Sequence, residues 1–481
     1  MKFSTASGAL LGAAASVHAA SSVAPISLVG NKFFNGDGSQ FFIKGVAYQL
    51  TQNDPLVDGD QCSRDVALMK TLGTNTIRVY HVDPAADHSA CMDAFASAGI
   101  YALIDLDTFD TYIMDPTANA PSWNAEQYAR FAAVMDSFAQ YDNVLGFFVG
   151  NEDIADTAQS IAAPYIKAAA HDMKAYRNSK KYREIPIGYS AADIAELRPM
   201  LQDYLTCGGN TDDNVDFFSL NSYEWCDPST FTSSGYQNLE SEAVDFPVPL
   251  FFSETGCNVP GPRLFSDQSS ILGPDMNSDW SGAIIYEWIQ EENNYGLITY
   301  SPDDPEDGPR SGTPIPMTPD FANLKNQWAT LNPVGVKSAD YDPKTISTRS
   351  CPASTAGGWA IDGNVPLPTL GSAAMASAAN APSGTFVLPP KATNEGSVAA
   401  STATNKVKSS TKTSGSSSPS ATASGTASGT ASGKASGSTA KPSNSAKSSG
   451  ASLNSPSVFN REFTAAGALL FGVMAFFTLW L

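Results

Sequence analysis

Two glutamates close apolar runs in this chain: Glu152 ends VLGFFVGNE and Glu254 ends VPLFFSE. A carboxylate is costly to carry from a strand into a folded core, so two placed this way point to a shared site rather than to solvated decoration. Paired carboxyl groups are the machinery of glycosidic-bond chemistry, one giving a proton while the other attacks or activates water. Each also has a plainer reading. Glu152 could be a capping acid for the next helix, since Asp153 and Asp156 crowd the same turn. Glu254 could be a buried structural acid.

The elements that must carry these residues are legible as short apolar runs alternating with amphipathic stretches, the pattern of a parallel α/β sheet. The predicted strands are 41–49, 74–82, 99–107, 144–152, 185–193, 215–223, 248–254 and 282–290. Apolar spacing of three and four residues predicts helices over Ser63–Leu72, His88–Ala98, Asn124–Gln140 and Asp156–Asn178, the third opened by an Asn124/Gln127 capping box. Eight strands with crossover helices match a (β/α)8 TIM barrel. A doubly wound open sheet is the alternative, but no glycine-rich phosphate turn follows the first run.

A barrel requires its functional residues at the C-terminal ends of the strands. Tyr48 and Gln49 end the first run, Tyr80 the second, Asp105 and Asp107 the third, and Asn151 and Glu152 the fourth. Asn221 and Tyr223 end the sixth, Glu254 the seventh, and Tyr286 and Glu287 lie near the end of the eighth. Aromatic and polar groups at one mouth describe a sugar cleft, because pyranose faces stack on rings while hydroxyls need fixed partners. Tyr80, Tyr223 and Tyr286 could equally be core aromatics. Arg78, inside the second run, is either a structural ion-pair partner or a group that orients Glu254, and Asp105 and Asp107 share that ambiguity.

Composition divides the chain. Residues 1–19 read as a secretory signal, with a lysine, an apolar alanine-rich stretch and Val17-His18-Ala19 before the cleavage point. Residues 20–351 hold the barrel with a disulfide-tied C-terminal extension, and 352–396 form a Pro/Ala-rich linker. Residues 397–450, rich in Ser, Thr, Ala and Gly with near-repeats of TASG, are too poor in large apolar groups to offset chain entropy, and read as a disordered stalk. Small residues at 450–452, a polar spacer and an apolar tail from Thr464 to Leu481 follow the order of a GPI-anchor signal, 451–481, with Gly450 as the lipidated residue.

The formal charge of −20 has no basic stripe to offset it, which excludes nucleic acid as a partner. Six cysteines behind a secretory signal favour three disulfides, in any of fifteen pairings. No C-x-x-C occurs and the four histidines are scattered, so no metal site is expected.

The stretches FFIKGVAYQ, DQCSRDVALMKTLGTNTIRVYHVDP, CMDAFASAGIYALIDL, VLGFFVGNE, DFFSLNSYEWC, PLFFSETGCN and YEWIQEENNYGL, in this order between residues 26 and 351, resemble the fungal GPI-anchored β-1,3-glucanosyltransferases of glycoside hydrolase family 72. The resemblance implies Glu152 as general acid/base and Glu254 as nucleophile. Gln49, Tyr80, Asp105, Asn151, Tyr223 and Tyr286 follow as sugar-binding or orienting groups, and Cys62–Cys91, Cys207–Cys351 and Cys226–Cys257 as disulfides. It implies β-1,3-glucan as donor and acceptor, no cofactor, and a secreted protein held on the outer leaflet of the plasma membrane or passed to wall glucan. An endo-β-1,3-glucanase and a non-catalytic glucan-binding wall protein are the alternatives. Thr255 stands where the family usually has tyrosine, Asp153 where an apolar residue is common, and the segment after Gln49 also departs from its pattern. No cysteine follows Cys351, so the cysteine-rich module of some members is expected to be absent.

Overall fold

The structure is a computed structural model that describes residues 23–376 apart from 50–53, 108–110, 116–117, 306–307 and 373–374. The chain divides between Val387 and Leu388, and the second unit lies wholly outside the described residues. The predicted leader, the predicted stalk and Gly450 with its predicted anchor signal also lie outside them.

Eight parallel strands close into one barrel, each paired with its sequence neighbours. They are β1 (Ile43–Ala47), β2 (Thr76–Val79), β3 (Tyr101–Asp105), β4 (Val144–Asn151), β5 (Ile187–Ala192), β6 (Phe217–Asn221), β7 (Leu250–Thr255) and β8 (Trp280–Ile285). Helices α1 (Gly59–Leu72), α2 (Ser89–Ser97), α3 (Ala125–Phe138), α4 (Ala163–Ser179), α5 (Arg198–Thr206), α6 (Tyr236–Ala243), α7 (Asp267–Ile271) and α8 (Asp320–Thr330) complete the TIM barrel. Every predicted strand is present but shorter, most of them trimmed at both ends, while β7 runs one residue past its predicted end and keeps Glu254 in the ladder. The last predicted helix begins instead as a 3-10 turn over Ala158–Ala162, and α4 follows with Pro164 in its first turn, where a missing N–H costs nothing. The predicted capping box at Asn124 and Gln127 opens α3.

Alternation along the strands sorts side chains into two cores. Outward residues such as Phe147, Phe218 and Phe252 pack under the helices. Inward Tyr101, Leu103, Phe148, Phe217 and Phe251 fill the lower barrel. A hairpin of Ser27–Val29 and Lys32–Phe34 closes that end, bringing Phe33 to 6.4 Å from Phe217 and 6.2 Å from Phe251 between ring centres.

All six cysteines are paired, as Cys62–Cys91 between α1 and α2, Cys207–Cys351, and Cys226–Cys257 between the loops after β6 and β7. The stretch after Cys351, which composition assigns to a linker, lies on the barrel as far as it is described. Trp359 is fully buried with its ring 5.7 Å from that of Tyr204. Ala360 N–H donates to Ser160 Oγ at 3.0 Å, and Leu370 N–H to Asp172 Oδ2 at 2.8 Å.

Candidate active site

One step above the aromatic layer, the same alternation places polar groups in the barrel. Leu103 is followed by Asp105, Phe217 by Ser219 and Asn221, Phe251 by Ser253, and Thr76 by Arg78. Arg78, with no exposed surface, sits at the centre, its guanidinium carbon 4.3 Å from the Tyr80 ring centre and 4.5 Å from that of Phe148. Its Nε and Nη2 grip Asp105 at 3.2 and 2.9 Å. Nη1 donates to Glu254 Oε1 at 3.2 Å, and Nη2 also donates to Asn151 Oδ1 at 2.9 Å.

Glu254 is 8% exposed and takes two further donors, Tyr80 O–H at 3.0 Å and Tyr223 O–H at 2.8 Å. Glu152 is half-buried, with φ of +53°, a left-handed backbone that a residue with a Cβ rarely adopts. Its N–H still reaches Ser190 O at 2.9 Å, so the ladder continues one residue past β4 while the side chain turns to Asn221, whose Nδ2 donates to Oε1 at 2.9 Å. Register shifts near the ends of β4 and β6 accompany this turn, and Asn221 pairs directly with Glu254.

Burial pushes Glu254 up to about 7, opposed by Arg78 and reinforced by the charge of Glu152. Burial raises Glu152 as well, opposed by Asn221 and Arg78. Two neighbouring carboxyls that both resist ionisation hold a proton between them. Glu254 accepts from a cation and two phenols, whereas Glu152 accepts from one amide among the described residues, so ionisation is favoured at Glu254 and the proton at Glu152.

The other predicted residues gather at the same mouth. Tyr80, Tyr223 and Tyr286 form an edge-on cluster with Tyr286 6.5 Å from Tyr80 and 6.4 Å from Tyr223. Asn151 Oδ1 points inward to Arg78, Ser190 and Asn221. Both oxygens of Asp105 are occupied by Arg78. Gln49 lies half-buried just beyond β1. Tyr295, absent from the sequence-based set, stands 5.4 Å from both Tyr223 and Tyr286. Ser190 and Ser253 were missed as well, although counting in twos from Phe251 reaches Ser253. Of the two positions that depart from the family pattern, Thr255 faces Tyr236 and Asp267 in the helical layer. Asp153 accepts Met114 N–H at 2.9 Å, tying the loop before α3 to the end of β4.

Comparison with known proteins agrees with this architecture. A family model described as Glucanosyltransferase matches residues 15–332. The 1,3-beta-glucanosyltransferase gel1 of Aspergillus fumigatus is 42% identical over 363 residues, 74% of this chain and 76% of that protein. Protein EPD1 of Candida maltosa is 41% identical over 345 residues, 70% of this chain, and the chain spans only 60% of its length. The solved structure of Saccharomyces cerevisiae Gas2p with laminaritetraose and laminaripentaose matches at a TM-score of 0.65 and 38% identity, over 72% of this chain and 75% of that one. The chain belongs to the glucanosyltransferases of glycoside hydrolase family 72.

Proposed function

We propose that the barrel cleaves β-1,3-glucan internally and joins the new end to a second glucan, with Glu254 as nucleophile and Glu152 as acid and then base. The observation that carries this reading is the unequal treatment of two neighbouring glutamates at the C-terminal mouth: among the described residues Glu254 accepts from Arg78, Tyr80 and Tyr223, and Glu152 from Asn221. Ionised Glu254 attacks the anomeric carbon while Glu152 gives its proton to the departing glycosidic oxygen, leaving a covalent glycosyl-enzyme. Glu152, now a carboxylate, takes the proton of an incoming 3-hydroxyl as that oxygen displaces Glu254. Water in place of the sugar gives hydrolysis. The tyrosine cluster supplies ring surface for holding donor and acceptor, and transfer outruns hydrolysis only if the acceptor is held in line. Laminari-oligosaccharides bound to Gas2p support the choice of glucan.

The leader at 1–19, the stalk and the terminal signal support a secreted protein carried on a GPI anchor at Gly450, on the plasma membrane or transferred to wall glucan.

Glu152→Gln and Glu254→Gln, each checked for an unchanged circular dichroism spectrum, are expected to abolish formation of longer chains from a reduced laminari-oligosaccharide. Longer products from either variant would overturn the assignment. Exclusively shorter products from the unmodified protein would make it an endo-glucanase, and glucan binding without turnover a wall-binding protein.

A further inference from the structure

Hydrogen-bond polarity runs in one direction through the barrel interior, from Arg78 to Glu152. A guanidinium only donates, so the Asn151 atom 2.9 Å from Arg78 Nη2 must be the acceptor, Oδ1. The Asn221 atom 3.0 Å from that oxygen must then be a donor, Nδ2. The opposite amide orientation would set Asn221 Oδ1 against Asn151 Oδ1 and turn Nδ2 towards Arg78 Nη1, which lies 3.4 Å from the present Oδ1. It would also cost the acceptor that Ser253 O–H reaches at 2.8 Å and Ser190 Oγ meets at 3.0 Å. With one Nδ2 hydrogen on Asn151, the other points at Glu152 Oε1, 2.9 Å away. Oε1 therefore accepts, and a proton on it would collide with the amide hydrogen.

We infer that Asn221, oriented by Arg78 through Asn151 and by the hydroxyls of Ser190 and Ser253, is a positioning residue that confines the proton of Glu152 to Oε2. This inference rests on the acid/base reading of Glu152. In the first step the Oε2–H bond breaks as the glycosidic oxygen takes the proton and its bond to the anomeric carbon opens. In the second, Oε2 receives the proton of the incoming hydroxyl. The cation that stabilises ionised Glu254 thereby also fixes the oxygen from which the acid works. Asn221 is 4% exposed and donates to Glu152 Oε1, so it acts through Glu152.

The test is the pH profile of Asn221→Ala together with a change of leaving group. The lost N–H favoured ionised Glu152, so the variant should hold its proton to higher pH, moving the basic limb of kcat/KM upward by about one unit. Glucan cleavage at the optimum should fall on the order of ten-fold or more. First-turnover fluoride release from a β-laminari-oligosaccharyl fluoride, which needs no acid, should fall much less than glucan cleavage. Asn221→Asp keeps the shape of the side chain and should move the limb further, because its carboxylate repels ionised Glu152; it serves if the alanine variant does not fold. An unmoved basic limb with equal losses on both donors would reduce Asn221 to a structural residue and overturn the inference. Glu152→Gln separates the two claims. If it releases fluoride but fails to cleave glucan, the acid/base reading stands whatever Asn221 does; if it cleaves glucan normally, both fall.

Discussion

At the scale of single residues, the site works by giving two like groups unlike neighbours. Tyr223 O–H donates to Glu254 Oε2, while Arg78 and Tyr80 both serve Oε1. Tyr223→Phe leaves Oε2 without that donor, and a hydrogen bond to a charged group contributes about 1.5–3 kcal/mol. The expected outcome is a kcat/KM loss of about ten-fold or more with the acidic limb of the profile shifted upward, since Glu254 then ionises at higher pH. A loss with an unmoved limb would assign Tyr223 to sugar contact alone. Asp105, read from sequence as a sugar-binding or orienting group, spends both oxygens on Arg78, so its substitution should act through Glu254 rather than on KM.

At the scale of elements, strand ends carry the chemistry and the loops beyond them are tied down. Cys226–Cys257 joins the loop bearing Tyr223 to the one that follows Glu254. The segment after Cys351 is a second tie. Asp172 on α4 receives Leu370 N–H and also Trp123 Nε1–H, each at 2.8 Å, linking this strap to the residue before the α3 cap. Trp359 anchors the strap against α5. Trp359→Ala should cost about 3–5 kcal/mol, read as a lowered denaturation midpoint. A chain ended at Cys351 should show a similar loss. Wild-type stability in both would return these residues to the role of a linker.

At the scale of the whole molecule, charge and burial act together. Burial is the largest cause in raising Asp153 to about 7 and Asp267 to about 6, and in raising Glu254 and Glu152, which share a proton. Unfolded carboxyls titrate near 4. The folded state therefore binds more protons than the unfolded state between about pH 4 and 7, and stability falls as pH rises through that window. Self-repulsion of a chain with formal charge −20 acts in the same direction. The melting temperature at pH 5 should exceed that at pH 8 by several degrees, and a higher value at pH 8 would contradict the buried-acid account.

Apolar runs and their period of two are local properties, and they alone located eight strands, the mouth of the barrel and the two glutamates at it. Helices α5 to α8 were not read from the sequence although α5, α6 and α8 carry apolar faces, and Trp359 sat unnoticed in a stretch whose composition resembles a linker. Partners are not local. Arg78 on β2 meets Glu254 on β7, and Asn221 on β6 meets Glu152 beyond β4, only because the barrel closes and its register shifts at those strand ends. Which carboxyl keeps the proton depends on those donors, so the apolar runs determined that two glutamates share a site, the family resemblance gave them separate roles, and the tertiary structure supplied the unequal donors around them.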